Sequence, residues 1–489
     1  MGLSLYLALA AYTFLGFAVA WAARKGLGRG LADFFLANRT LGGVVNALSY
    51  SATTYSAFMM VGLAGLTYRG GVGALGFELV YLSGLVLAAF FGPRFWLAAK
   101  LRGYVSPAEM LGDRYESRAV TLVAALASLL FLIPYTSVQL MGIAYLLQEL
   151  SRGAVPYVAG VLWATFLALA WARVGGLRSV AWTDAFQALV MLVSSGLVVF
   201  FAVCGIGGIA AFFHGLEKNY SRWLAVPGPG FFKFSTFLGL SLPWFFFCLS
   251  NPQVSQRLFV PRSLLALRRM LRGFLLFGFI YTLISITWGF SARLLLPDLP
   301  NPDLATPTLL ASPVIPPALA ILAMLGIVSA AISTMDSVLL TLSSMFARDI
   351  YALLRPGASE ARQLAVGKWI IPVISGAALV FSLFRLDLIA VLAVSSSAAL
   401  LVLVPATVGA FLWRRGTAKG ALASILVPGI LVMVLQFGNL KPLGLWPGVW
   451  ALISSTLLFV TVSLVTSPPK GAEAFLNRIN ALLAEKNVL

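Results

Sequence analysis

Ser333, Thr334, Asp336 and Ser337 place three hydroxyls and a carboxylate within five consecutive residues, midway along an apolar run at residues 317–346. All four are oxygen donors, which suit a hard cation. On a helix of 3.6 residues per turn, Ala330, Ser333, Thr334 and Ser337 share one face, and Asp336 lies on its flank beside Ser333. Scattered Ser and Thr in membrane helices commonly act as hydrogen-bonding glue between packed helices. A Ser-Thr-x-Asp-Ser cluster at the depth of a bilayer is costly unless something satisfies it, and it points to an ion site.

An ion held there needs ligands from a second element. The run at 43–66 offers Ser49, Tyr50, Ser51, Thr53, Thr54 and Tyr55, six hydroxyl side chains in seven positions, followed by Ser56. Ser and Thr compete for backbone hydrogen bonds and so permit a local break. Inside a bilayer a break is tolerated only where it faces protein or a water-filled cavity. An unwound turn here frees carbonyls for a cation, most naturally those of Ala52 and Tyr55. The run at 233–251 repeats the pattern with Ser235, Thr236, Gly239, Ser241 and Pro243 ahead of Trp244, and it leaves through a polar exit ending at Arg257. Pro243 is expected to break or kink that helix. Two interrupted helices at matching positions in two halves are the sequence mark of an inverted-repeat transporter, here with repeats over runs two to six and seven to eleven.

Other polar residues have two readings each. Gly175 and Gly176 make a tight turn, after which Thr183 and Asp184 open the next helix. Asp184 alone fits an N-cap or dipole partner. Glu78 fits a rim carboxylate as well as a substrate contact. Tyr135 and Gln139, just beyond Pro134, lie i, i+4 on one helix face. The proline-rich loop at 297–317 reads equally as a lid and as a passive linker.

The elements that carry these residues follow from composition. Only 10% of the 489 residues are charged, against about 25% in a soluble domain, and the mean hydropathy is +0.95. Thirteen apolar runs approach the roughly 20 residues needed to cross a bilayer. The net charge of +18 does not imply nucleic acid, because alternate loops divide it unevenly: 26 Lys and Arg on one side, 8 on the other. The positive-inside rule then places the N-terminus outside and the C-terminus in the cytoplasm, in a plasma membrane. The first run lacks a basic leader and reads as a retained helix. Cys204 and Cys248 fall in or beside apolar spans and read as buried small hydrophobes.

Four segments together, at residues 49–65, 175–187, 251–257 and 330–351, resemble the sodium/solute symporter family. The blocks GG-x-x-x-V-x-W-T-D-x-x-Q and A-x-x-S-T-x-D-S carry the resemblance. It implies an all-α, leucine-transporter-like fold with a five-plus-five inverted repeat. It also implies a main Na+ site formed by the carbonyls of Ala52, Tyr55 and Ala330 and the hydroxyls of Ser333 and Thr334. Some members have a second cation site, whose matching residues are Asp184, Ser333, Asp336 and Ser337; this chain supplies two carboxylates there where one is common. Thr54 stands where proline-transporting members carry an aspartate. The family's solute pocket maps onto Ser56, Phe58, Tyr135, Gln139 and Trp244, although ordinary helix packing explains Phe58 and Trp244 equally well.

These readings describe a sodium-coupled importer of a small polar organic solute (a monocarboxylate, amino acid, pantothenate or sugar), acting as a monomer in the lipid bilayer. The organisation expected is a peripheral segment at 1–42, repeats at 43–232 and 233–416, and accessory helices with a tail at 417–489. A proton-coupled symporter using Asp184 and Asp336 is the alternative. A channel lacks support from any repeated pore loop or charged ring. An enzyme lacks support from any metal motif, nucleophile elbow or phosphate loop.

Overall fold

The structure is a computed structural model and describes residues 2–23, 30–384 and 389–486. Arg24, Lys25, Arg29 and Arg385, counted in the loop charge above, lie outside the described residues. Among those described, the secondary structure is helical apart from one isolated bridge between Leu41 and Pro261. Nine of the described helices are long and apolar enough to cross a membrane, and Leu3–Val19, Tyr157–Arg173 and Phe234–Phe245 are apolar but shorter.

Eight helices position the site. In chain order they are α1 (Gly43–Thr54), α2 (Ala64–Gly70), α3 (Gly73–Ser83), α4 (Arg118–Leu150), α5 (Tyr157–Ile206), α6 (Phe234–Phe245), α7 (Leu264–Leu295) and α8 (Pro317–Met345). The second half of α5 shows how the bilayer writes the pattern. Trp182, Phe186, Leu189, Val193, Leu197 and Phe200 are exposed at helical spacing, which makes a lipid-facing stripe. The opposite face buries Asp184, Ala188, Met191, Ser195 and Val198 against the bundle. α8 is the central rod: residues 326–345 are buried all round, and its most extensive packing is against α5.

Three of the breaks fall where the sequence placed them or close by. α1 ends at Tyr55, whose φ −90°, ψ 74° leave the helical region, and a π-helical turn at Phe58–Leu63 leads into α2. Gly176 turns α5 with φ +57°, a conformation that favours glycine. The helix after this turn starts at Gly176, so Asp184 lies two turns inside it and is no N-cap, as one reading had it. The third break corrects the expectation for Pro243. α6 continues through Pro243 to Phe245, and the chain leaves the helix at Phe246 and again at Asn251 (φ −98°, ψ 109°). The second departure coincides with Pro252, because a proline disfavours the α conformation in the residue before it.

The loop at 297–317 is more than a linker. It contains the short helices Pro302–Leu304 and Ala305–Ala311. Thr306 donates from its hydroxyl to the Met60 carbonyl, and Ser285 of α7 donates to that of Met59. A π-helical turn shifts the hydrogen-bond register, and these two hydroxyls bond carbonyls within it. Ser106 caps Pro107–Arg114 and also bonds Asp349, while Arg348 pairs with Glu109 at 2.9 Å. The tail helix Ala472–Glu485 packs Phe475, Leu476, Ile479 and Leu483 against the bundle.

α7 approaches the broken helix closely enough to require glycine. A Cβ on Gly278 would lie 2.0 Å from the Tyr55 hydroxyl oxygen. Gly278→Ala is therefore expected to displace the Tyr55 ring and cost about 1–3 kcal/mol through overpacking, seen as a lower unfolding midpoint of the detergent-purified protein. Gly196→Ala, whose Cβ would meet nothing nearer than 3.8 Å, should leave the midpoint unchanged or slightly raised.

Candidate functional site: a broken helix facing a hydroxyl-lined rod

The two halves of the broken helix leave backbone groups without helical partners. Tyr55 N makes the last inner bond, to Ser51 O at 2.7 Å. On the outer half, Phe58 N donates to Ser56 Oγ at 3.2 Å and Ala57 N donates to Gln139 Oε1 of α4 at 3.3 Å. Side chains thus satisfy two N–H groups at the start of the outer half. The inner half presents carbonyls. Thr334 Oγ1 of α8 lies 2.9 Å from Thr53 O, 3.1 Å from Ala330 O and 3.4 Å from Ala52 O. One hydroxyl has one proton for three carbonyls, so oxygen lone pairs converge there in excess of donors. Ser333 Oγ is buried without a hydrogen-bond partner. The structure brings Ala52, Ala330 and Thr334 together and places Tyr55 at the break. Thr53 O is a neighbour that sequence reasoning had not singled out. An oxygen-rich, donor-poor cluster of this kind fits Na+.

The expected second site looks different. Asp184 and Ser337 are brought together, and Arg257 stands between them. Its Nη1 donates to Ser49 Oγ at 2.7 Å, and its Nη2 donates to Thr53 Oγ1 at 2.9 Å and to Ser337 Oγ. Asp184 Oδ2 lies 3.4 Å from Nη2, with side-chain exposures of 5% for Arg257 and 1% for Asp184. Ser49 Oγ donates to the same Asp184 oxygen at 2.7 Å. Asp336 is also buried, and its Oδ1 has no hydrogen-bond partner. Arg257 had been read as part of a polar exit. Its spacing held a signal, since Gln253, Gln256 and Arg257 fall at i, i+3 and i+4 after the Asn251-Pro252 break and so share one face.

The five pocket residues do meet. The Phe58 and Trp244 rings are 5.1 Å apart, Trp244 and Phe247 4.5 Å, and Tyr135 and Phe247 6.4 Å. Gln139 reaches Ala57 beside Ser56. Trp244 Nε1, Tyr135 Oη and Gln139 Nε2 are all buried without partners, an unusual concentration of unspent donors. A void of about 10 Å³ beside Tyr50, Tyr81, Trp244 and Phe247 is lined by none of Ser56, Phe58, Tyr135 or Gln139. Sequence reasoning missed Phe247, Tyr81 and Phe77, which complete the aromatic lining around Phe58 and Trp244. Glu78 is 1% exposed with Oε1 unpartnered, so it is a buried carboxyl and no solvated rim group.

A discontinuous membrane helix whose carbonyls face a hydroxyl of a buried rod, next to a packed aromatic cluster, is an arrangement that points to a secondary transporter. The sodium:solute symporter family profile matches residues 34–428, and the chain belongs to that family. It is 28% identical over 477 residues to the sodium/pantothenate symporter of Escherichia coli (strain K12), covering 94% of this chain and 96% of that one. Identity to the sodium/proline symporter of Haemophilus influenzae is 26% over 467 residues, covering 90% of each chain. A solved structure of a Na+-coupled sialic acid symporter, substrate-bound and outward-open, matches with a TM-score of 0.81 at 22% identity over 96% of this chain and 99% of that one. The protein is a multi-pass membrane transporter and not an enzyme.

The ion pair at the second cluster makes a test of its own. Asp184→Asn leaves a buried guanidinium without its nearest charge, and breaking one partner of such a pair costs about 3–5 kcal/mol. The double variant Asp184→Asn with Arg257→Gln should lose less stability than the sum of the single losses, measured as unfolding midpoints in detergent. Additive losses would show that the two groups are not coupled.

Proposed function

We propose that the protein is a sodium-coupled symporter that imports a small polar organic solute by alternating access. The observation that carries this reading is the meeting of Ala52, Thr53 and Ala330 carbonyls around Thr334 Oγ1. Na+ is cargo there, held by Ala52, Tyr55, Ala330, Ser333 and Thr334. Because the ligands come from both the broken helix and α8, binding ties two elements that can otherwise separate. Sodium entering down a 100 mV potential contributes about 2.3 kcal/mol before any concentration gradient.

The solute would part Phe58 from Trp244 and lie against Ser56, Tyr135 and Gln139. The unpartnered Trp244 Nε1, Tyr135 Oη and Gln139 Nε2 are all able to donate, and the outer half-helix begins at the same place with its positive end. That combination favours a solute rich in acceptors, such as a carboxylate. Pantothenate, proline and sialic acid, the solutes in the names of the similar proteins, all carry one. The architecture that goes with this reading has thirteen membrane helices. Five-plus-five repeats at 43–232 and 233–416 stand in a plasma membrane, with the N-terminus outside and the C-terminus in the cytoplasm. The monomer is the transporting unit.

Uptake into proteoliposomes, with a panel of carboxylate and sugar solutes and an imposed Na+ gradient, tests the reading. Wild-type protein should accumulate one class of solute only when Na+ is supplied. Ser333→Ala with Thr334→Ala should abolish the sodium stimulation while the protein still inserts. Sodium dependence unchanged in that variant, or uptake driven by a pH gradient with no Na+ present, would overturn the assignment.

A further inference from the structure

We propose that Arg257 is a tethered resident cation that fills the second cation position, so that the transporter binds one Na+ per cycle rather than two. The inference rests on the main Na+ site proposed above. Its starting observation is competition for the same oxygens. A second Na+ among Asp184, Ser333, Asp336 and Ser337 would need the Asp184 carboxylate and the Ser337 hydroxyl, and the guanidinium already bonds Ser337 and lies 3.4 Å from Asp184 Oδ2. Ser49 and Thr53 also hold its two terminal nitrogens, at 2.7 and 2.9 Å. A planar fork with bonds to α1, α5 and α8 is fixed in place in a way that a lysine ammonium would not match.

A charge count agrees with this when both carboxylates are ionised. Asp184 and Asp336 then bring two negative charges to the buried cluster, and Arg257 brings one positive charge. The main site offers only neutral carbonyls and hydroxyls, so the negative charge left over sits on α8 one turn or less from Ser333 and Thr334. A single Na+ makes the whole group neutral. A second would leave one positive charge in excess at a depth where uncompensated charge is expensive. Without Arg257 the arithmetic reverses: two carboxylates then require two Na+, and the Asp184 and Ser337 oxygens are free to ligate the second. Arg257 thus sets coupling stoichiometry by occupying a site, without touching the solute.

The test counts sodium directly, by equilibrium binding of radioactive Na+ to purified full-length protein in detergent, without transport. Wild-type protein should saturate at one Na+ per chain and Arg257→Gln at two. Arg257→Lys, which keeps the charge, should stay at one. Adding Asp184→Asn to Arg257→Gln should return the count to one. Two Na+ on wild-type protein, or one on a monodisperse Arg257→Gln protein, overturns the proposal. The wild-type count decides by itself if the Gln variant does not fold. A wild-type protein that binds no Na+ overturns the main site instead, and this distinguishes failure of the underlying reading from failure of the role given to Arg257.

Discussion

The constraint on which everything else depends is that no backbone or hydroxyl group in hydrocarbon can be left to water. An unbroken helix meets it internally. The chain abandons that solution at Tyr55, and the freed groups then take side-chain partners, most of them from other elements. Gln139 and Ser56 take the N–H groups of the outer half. Thr334 takes carbonyls of the inner half. Ser285 and Thr306 take the carbonyls of Met59 and Met60 in the π-helical turn. The break is therefore held by four neighbouring elements, and each contact is polar, directional and exchangeable. Apolar packing alone could not supply that, because lipid tails are as apolar as leucine and leave no driving force between helices.

Much of this was legible from residue types. Hydroxyls concentrated at 49–56 had no apolar explanation, and the structure breaks the helix among them. Thr334 and the carbonyl of Ala52 could be paired from helical geometry and family resemblance, and they lie 3.4 Å apart. Membrane sequences make such features visible because a polar residue at bilayer depth stands out against a uniform background. The same background explains what was missed. Phe77, Tyr81 and Phe247 pack around Phe58 and Trp244, but an aromatic residue in an apolar run carries no mark that separates a wall from ordinary packing. Pro243 drew attention as a helix breaker and is accommodated inside α6, whereas Pro252, beyond the apolar run, acts on Asn251.

Arg257 is the most informative miss. Loop-by-loop counting assigned it to the basic side. Position along the chain and depth in the bilayer are different quantities, however. After Asn251 the chain turns and winds a second short helical segment, and this carries the guanidinium back between α1, α5 and α8. An arginine within a few residues of a helix break should be weighed as an inward-facing group, because a break lets the chain reverse its radial direction. The presence of Asp184 on α5 gave that option a partner.

The packed aromatic cluster and the polar network together limit how the molecule can move. Phe58, Trp244, Phe247 and Tyr135 lie ring against ring, so admitting a solute has to separate α6 from the broken helix or move both. The outer half of that helix is bonded to the short helices at 302–311 and to α7, while the inner half is bonded to α8. A displacement of the outer half therefore strains different bonds from a displacement of the inner half, and Tyr55 and Ser56 form the only covalent joint between them. In the proposed assignment the cation-facing carbonyls end at that joint and the solute-facing residues begin at it. A cation fixing the inner half against α8 would then constrain the hinge on which the solute site turns, which would let two cargoes with no shared ligand depend on each other.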